Sequence, residues 1–168
     1  MRVLAKTLLA VGMVVGLISV AIATTDTATS TVTIVFNEIS ELAVSGNPGT
    51  LTIVAPATAG DLPADQSDAT TTMAWTSNVA AGQTRKITGS IASLFAGIDL
   101  YATVTATGGK GTSAGEKLLV VTDTDFVTGI GNCNTPSETI TFRADVTSMV
   151  APYTSTQKAV TWTFTEDA

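Results

Sequence analysis

The side chains best suited to chemistry in this sequence are carboxylates at short spacing. Asp61, Asp65 and Asp68 share one stretch rich in Pro and Ala, and Asp123 and Asp125 have the D-x-D spacing of a cation-binding loop. Carboxylate oxygens are ligands that Ca²⁺ prefers. The D-x-D pair lacks the third ligand, the Gly and the distal Glu of an EF-hand. We therefore expect solvated carboxylates at both places, with calcium binding as the alternative.

The residue inventory argues against an enzyme. The 168 residues include no His and one Cys, which excludes His-based triads, intrachain disulfides and thiolate zinc clusters. No G-x-S-x-G nucleophile elbow occurs. Cys133 lies in a turn-like Gly-Asn-Cys-Asn run, where we expect a small core residue or an inert thiol. We predict no catalytic residue and no cofactor.

The first 23 residues have the features of an export signal. Arg2 and Lys6 precede a mostly apolar, uncharged run, and residues 21–23 form an A-x-A cleavage site. We predict cleavage after Ala23 and a secreted or cell-surface mature chain. No later stretch is apolar enough to span a bilayer, so no membrane partner is expected once the signal is removed.

The charge balance is acidic. Eight basic and 14 acidic residues give a net charge of −6, and loss of Arg2 and Lys6 with the signal would leave six basic residues and −8. Nucleic-acid binding normally needs a basic patch, so it is not expected. A net negative charge favours solubility outside the cell.

The remainder of the chain has the pattern of strands and turns. Thr supplies roughly a fifth of the residues, and its branched side chain favours strands over helices. Apolar residues recur with period two in most of these segments, and one is a continuous apolar run. The predicted strands are 31–36, 50–54, 70–77, 85–91, 99–106, 117–122, 138–147 and 159–165. Short strands at this spacing predict one immunoglobulin-like antiparallel β-sandwich of about 7 to 9 strands over 24–168, with a barrel as the alternative.

Residues 24–38 admit two interpretations. A polar leader of Thr, Ser and Ala precedes Val32, Ile34 and Phe36, which fall at alternate positions. This pattern suits an ordinary first strand of the chain's own sandwich. It also suits a donor strand, in which a tether carries alternating apolar side chains into a groove of a neighbouring copy.

The chain resembles small exported β-sandwich proteins that form cell-surface and matrix fibres, including the TasA/camelysin-like and donor-strand pilin groups. The shared features are a signal peptide, a Thr-rich mature domain and a closing T-x-T-x-T strand, here 161–165. It lacks the disulfide of chaperone–usher pilins and the LPxTG-type motif of sortase-assembled pilins.

The resemblance implies a structural subunit whose partners are copies of itself. The outward strand positions agree, because they carry Thr, Ser and Ala where a soluble monomer usually carries charge. The alternative is a monomeric extracellular module that binds carbohydrate or calcium.

Overall fold

The computed structural model describes residues 28–152 and 156–167, so the predicted export signal lies outside the described residues. The chain divides into two compact units, Met1–Val35 and Phe36–Ala168. In the described residues the secondary structure is entirely β, which confirms the all-β prediction. The strands are β1 Ile39–Ser45, β2 Gln66–Asn78, β3 Thr84–Ile91, β4 Ile98–Val104, β5 Thr112–Ser113, β6 Lys117–Leu118, β7 Thr124–Ile130, β8 Cys133–Val146 and β9 Val160–Asp167.

The strands form two antiparallel sheets with a common core. One sheet has the order β1-β2-β8-β4-β6 and the other β5-β7-β3-β9. Phe142 of the first sheet and Trp162 of the second meet edge to face, with ring centroids 6.5 Å apart. Trp75 and Phe126, one from each sheet, are fully buried in the same cluster. The architecture is therefore that of two sheets packed face to face, as in a β-sandwich.

Gly89 of β3 lies where the core approaches the backbone most closely. Its register partner on β9 is Trp162, whose ring lies over the glycine and packs edge to face on Phe126 at 5.0 Å. A Cβ at position 89 would lie 2.8 Å from Trp162 Cζ3 and 2.9 Å from Phe126 Cε2. The absence of a side chain at Gly89 therefore lets both aromatic rings approach the β3 backbone closely.

Gly89→Ala is therefore expected to destabilise the fold. The added methyl forces two aromatic rings to shift in a packed core, at a cost of about 1–3 kcal/mol. The measurement is urea unfolding, followed by tryptophan fluorescence. Ser90→Ala, one position along the same strand, is the control and should change stability by less than about 0.5 kcal/mol. Equal stability of both variants would contradict this packing.

Strand β7 was missed by sequence pattern because bulges break its alternation. Opposite β3 its register shifts twice, between Arg85 and Ile87 and between Ile87 and Thr88. As a result the consecutive residues Phe126 and Val127 are both fully buried. A bulge places an extra residue in one strand and disturbs the period of two on which sequence prediction depends.

Strand β8 begins earlier than predicted. Cys133 is its first residue, half-buried against the core rather than in a turn. Pro136 lies inside the strand, near a register shift opposite Met73 and Trp75. Proline is tolerated in sheets at such irregularities, because no ladder hydrogen bond is required of its nitrogen there.

Other boundaries also differ from the predictions. The predicted strands 31–36 and 50–54 are absent, and 117–122 shortens to the two residues of β6. Strand β1 was not predicted. Only Ile39 and Leu42 in it are half-buried, three positions apart, so the strand has no apolar alternation of period two. Short β5 was also missed, and β2 begins at Gln66, four residues before the predicted strand 70–77.

A carboxylate is buried at one end of the sheets. Glu138 is 4% exposed and accepts hydrogen bonds from the Thr105 hydroxyl at 2.7 Å and from the Thr107 amide and hydroxyl at 3.1 and 2.7 Å. Burial raises the pKa of Glu138, but these donors and the charge of Lys110 outweigh it, so the pKa is lowered overall. The side chain thus fastens the chain after β4 to β8.

Candidate assembly interface

The segment 28–38, here called the N-terminal segment, has no regular secondary structure, and every residue in it is exposed. The side chains of Val32, Ile34 and Phe36 are 78%, 84% and 78% exposed. An isolated exposed apolar residue is ordinary, but alternating ones on a single segment form a continuous apolar row. In the described residues, this segment contributes no strand to either sheet.

The end of the N-terminal segment is fastened where it enters β1. The side-chain amide of Asn78 donates to the Asn37 carbonyl at 2.8 Å and accepts from the Ile39 amide. Glu38 forms an ion pair with Arg85. The last two residues before β1 are therefore held by β2 and β3.

The two sides of the sheet pair differ in the length of their edge strands. On one side, here called the closed side, β5 and β6 have two residues each and are joined by three residues. On the other side, the open side, the edges are β1 with seven residues and β9 with eight. Short edges are a recognised protection against pairing with other chains, whereas long edges present rows of unpaired backbone groups.

The core is incompletely covered along the open side. On β9 the inward residues Val160, Trp162 and Phe164 are only half-buried. Their partners on β3, Ile91 and Ile87, are 2% and 0% exposed. The inward side chains of the edge strand β9 are therefore still partly exposed to solvent, whereas their partners on β3 are fully covered.

Opposite β9, the inward row of β1 is similarly exposed. Leu42 pairs in register with buried Trp75 and is half-buried, while Val44 pairs with buried Met73 and is 39% exposed. The open side is thus lined on both sheets by apolar side chains with incomplete cover. Such a contiguous apolar patch between two long edges is typical of a protein-interaction site.

Arg85 bridges the two sheets at one end of the open side. It is 7% exposed, and its Nη1 donates to Ser40 Oγ of β1 at 3.0 Å. Its guanidinium lies 5.6 Å from the ring centroid of Phe164 on β9, within cation–π range. With the Glu38 ion pair, these contacts join the start of β1 to the end of β9.

The outward row of β9 is a line of hydroxyls. Thr161, Thr163 and Thr165 are all exposed, as predicted from their alternation with the apolar row. No proline or charged residue occurs between Val160 and Thr165. Charge on β9 is therefore confined to its last two residues, Glu166 and Asp167, and the preceding six residues lack the charges and prolines that commonly prevent edge pairing.

The carboxylates considered for calcium do not converge. Asp65 pairs with Arg143, and Asp125 of β7 lies 3.2 Å from Lys86 Nζ. Asp61 lies in an exposed loop and Asp123 just before β7. Within residues 28–152 and 156–167, no three His, Cys, Asp or Glu side chains gather as a metal site requires.

Asp68 lies in β2, where it has a local structural role. It accepts from the Thr70 hydroxyl at 2.7 Å and from the Thr70 amide at 3.0 Å. These bonds lower the pKa of Asp68, the hydroxyl contributing most. They lie at a register shift between Asp68 and Thr71, so the side chain supports the bulge there.

Comparison with protein-family models, curated proteins and solved structures finds no match for this chain. In the part of the chain that the structure describes, no helix is long and apolar enough to cross a bilayer. Function is therefore inferred from the contacts and exposed surfaces described above.

Proposed function

We propose that this protein is a secreted structural subunit that self-associates into an extracellular fibre, pilus or surface matrix. The observation that carries the proposal is the exposed row Val32, Ile34 and Phe36, which pairs with no strand among the described residues. Alternating apolar side chains gain stability only when a sheet covers them. In this proposal a neighbouring copy supplies that sheet, and the N-terminal segment acts as a donor strand.

The surface composition supports the same proposal. The exposed face of β9 carries Thr hydroxyls instead of charges, so few charged groups would lose water when copies pack together. The two antiparallel sheets suit an immunoglobulin-like sandwich, the type we propose for this domain. Export follows in the proposal from the A-x-A signal at residues 21–23, which predicts a mature chain beginning at Thr24.

Electron microscopy of the exported protein tests the proposal. The chain is expressed with its signal, recovered from outside the cells, and its N-terminus is sequenced, with Thr24 expected first. Negative staining over a range of concentrations should then reveal filaments or ordered assemblies. Monodisperse particles at every concentration would overturn the proposal. Measurable heat on titrating such a monomer with Ca²⁺ or glycans would favour the binding-module alternative.

A further inference from the structure

The open side has the geometry to receive the exposed segment of another copy. We infer that the N-terminal segment of one copy adds as a strand to the free edge of β9 in a second copy. The inference rests on the proposed function and names the surface through which assembly would occur. Four features of the molecule lead to it.

The first feature is the free edge itself. Strand β9 is paired on one side with β3, and in the described residues no strand pairs with its other side. The alternative acceptor, β1, carries a carboxylate, Glu41, in the middle of its edge. Charge on an edge strand opposes pairing, and on β9 it is confined to the last two residues, Glu166 and Asp167, which leaves Val160 to Thr165 uncharged. Of the two long edges, β9 is the better acceptor.

The second feature is the fit of the inward rows. A strand added beside β9 would place one of its rows next to half-buried Trp162 and Phe164. The donor row has apolar residues at Val32, Ile34 and Phe36, the same spacing of two as the β9 row. Side chains on neighbouring strands pack when they share a face, so the added row would cover the incompletely buried aromatic rings.

The third feature is the fit of the outward rows. With the apolar row facing inward, Thr31, Thr33 and the exposed Val35 of the donor fall on the same face as Thr161, Thr163 and Thr165 of β9. Cross-strand Thr pairs are favourable in sheets, since their hydroxyls hydrogen-bond and their methyl groups pack. The donor and the acceptor therefore match on both faces.

The fourth feature identifies the occupant as a second copy. Only Asn37 and Glu38 separate Phe36 from β1, which belongs to the opposite sheet. Reaching β9 of the same chain would require these two residues to cross about 10 Å between sheets and to reverse direction. Both are already held, by Asn78 and Arg85.

Disulfide trapping tests the acceptor. In a Cys133→Ser background, which removes the one native thiol, Thr33→Cys marks the donor. Thr161→Cys, Thr163→Cys and Thr165→Cys, each in a separate chain carrying a tag of different mass, mark β9. Cross-strand neighbours have Cβ atoms about 4.5–5.5 Å apart, within reach of a disulfide after a small adjustment. Thr112→Cys, on the short β5 edge of the closed side, is the matched control.

Donor and acceptor chains are mixed, assembled, oxidised mildly and resolved without reductant. When the acceptor cysteine lies on β9, we expect most chains to form a disulfide-linked dimer of mixed mass for one or two of the three positions. When the acceptor is Thr112→Cys, we expect few such dimers. Filaments without cross-linking to any β9 position, or with equal cross-linking to Thr112→Cys, would overturn this acceptor and leave the proposed function intact. An internal disulfide in dilute monomer of the Thr33→Cys, Thr163→Cys double variant would overturn the second-copy assignment. Absence of filaments in the unmodified protein would instead refute the proposed function itself.

Discussion

Serine at Val32, Ile34 and Phe36 together is expected to abolish fibre formation and leave the folded domain unchanged. These side chains are at least 78% exposed in the single chain, so their removal costs the isolated domain little. In an assembled state each would be buried against a neighbour, and burial of such a side chain contributes about 1.5–3 kcal/mol. Loss of about 5 kcal/mol at each interface would weaken association by more than a thousandfold.

Filament yield by sedimentation and negative staining, with the melting temperature from circular dichroism, tests this expectation. The control removes the same number of exposed apolar side chains elsewhere, with serine at Val54, Leu62 and Leu94. It should assemble like the unmodified protein. Loss of filaments in the control as well would indicate nonspecific hydrophobic association, and filaments from the donor variant would exclude the N-terminal segment as donor.

Glu138→Ala is expected to lower the free energy of unfolding by about 1–3 kcal/mol at neutral pH, because it removes a buried carboxylate that accepts several hydrogen bonds. The donors that lose their partner are the buried hydroxyl of Thr135, the half-buried hydroxyl of Thr105, and the amide and hydroxyl of exposed Thr107. Glu116→Ala is the control. Glu116 binds Arg143 at 2.8 Å but is exposed to water, so its loss should cost about 0–1 kcal/mol. Equal effects of the two substitutions would contradict the network around Glu138.

The contribution of Glu138 should also depend on pH. Its pKa in the folded chain is lowered from an ordinary value of 4.5, so the folded state favours the ionised form. The stabilisation by the ionised form is therefore fully present above about pH 4.5 and declines as the pH falls through the folded pKa. Urea unfolding of the unmodified protein and of Glu138→Gln over this range isolates the group. The stability difference should shrink on acidification, and a constant difference would refute the assignment.

Strands are predicted well from sequence where buried and exposed side chains alternate regularly along the folded strand. In β8, Ile140, Phe142 and Ala144 fall at alternate positions of the predicted strand 138–147, and all three are buried. In β7, bulges bring Phe126 and Val127 inward together, so period-two reasoning does not detect the strand. Bulges arise from pairing with a partner strand, which a single sequence does not specify.

The N-terminal segment illustrates a different difficulty. The alternation of Val32, Ile34 and Phe36 reports that the segment is suited to a sheet, but it does not report whose sheet. The donor strand is one of two interpretations of this alternation, and among the described residues the segment contributes no strand to either sheet. The proposed acceptor edge could not be predicted from the sequence. Trp162 is only half-buried because β9 is the edge strand of its sheet, and the order of strands in a sheet is not specified by the local pattern.

The placement of carboxylates was equally beyond sequence spacing. Asp65 and Asp68 are three residues apart, yet one pairs with Arg143 and the other supports a bulge through Thr70. Glu138 drew no attention as a functional residue, since a single Glu in a Thr-rich strand resembles a solvated charge. Its burial follows from the inward position it takes beside the β8 irregularity opposite Met73.

The unequal edges of the two sheets have a consequence for the way an assembly grows. Because β5 and β6 have only two residues each, a subunit in the proposed assembly would have one receptive flank and one donor segment, which are different surfaces. Such a head-to-tail contact does not close on itself as a symmetric dimer does, and it propagates in one direction. A filament built in this way is polar. One terminus exposes a vacant β9 edge and the other an unused N-terminal segment, so the two ends would elongate, and be blocked, by different chemistry.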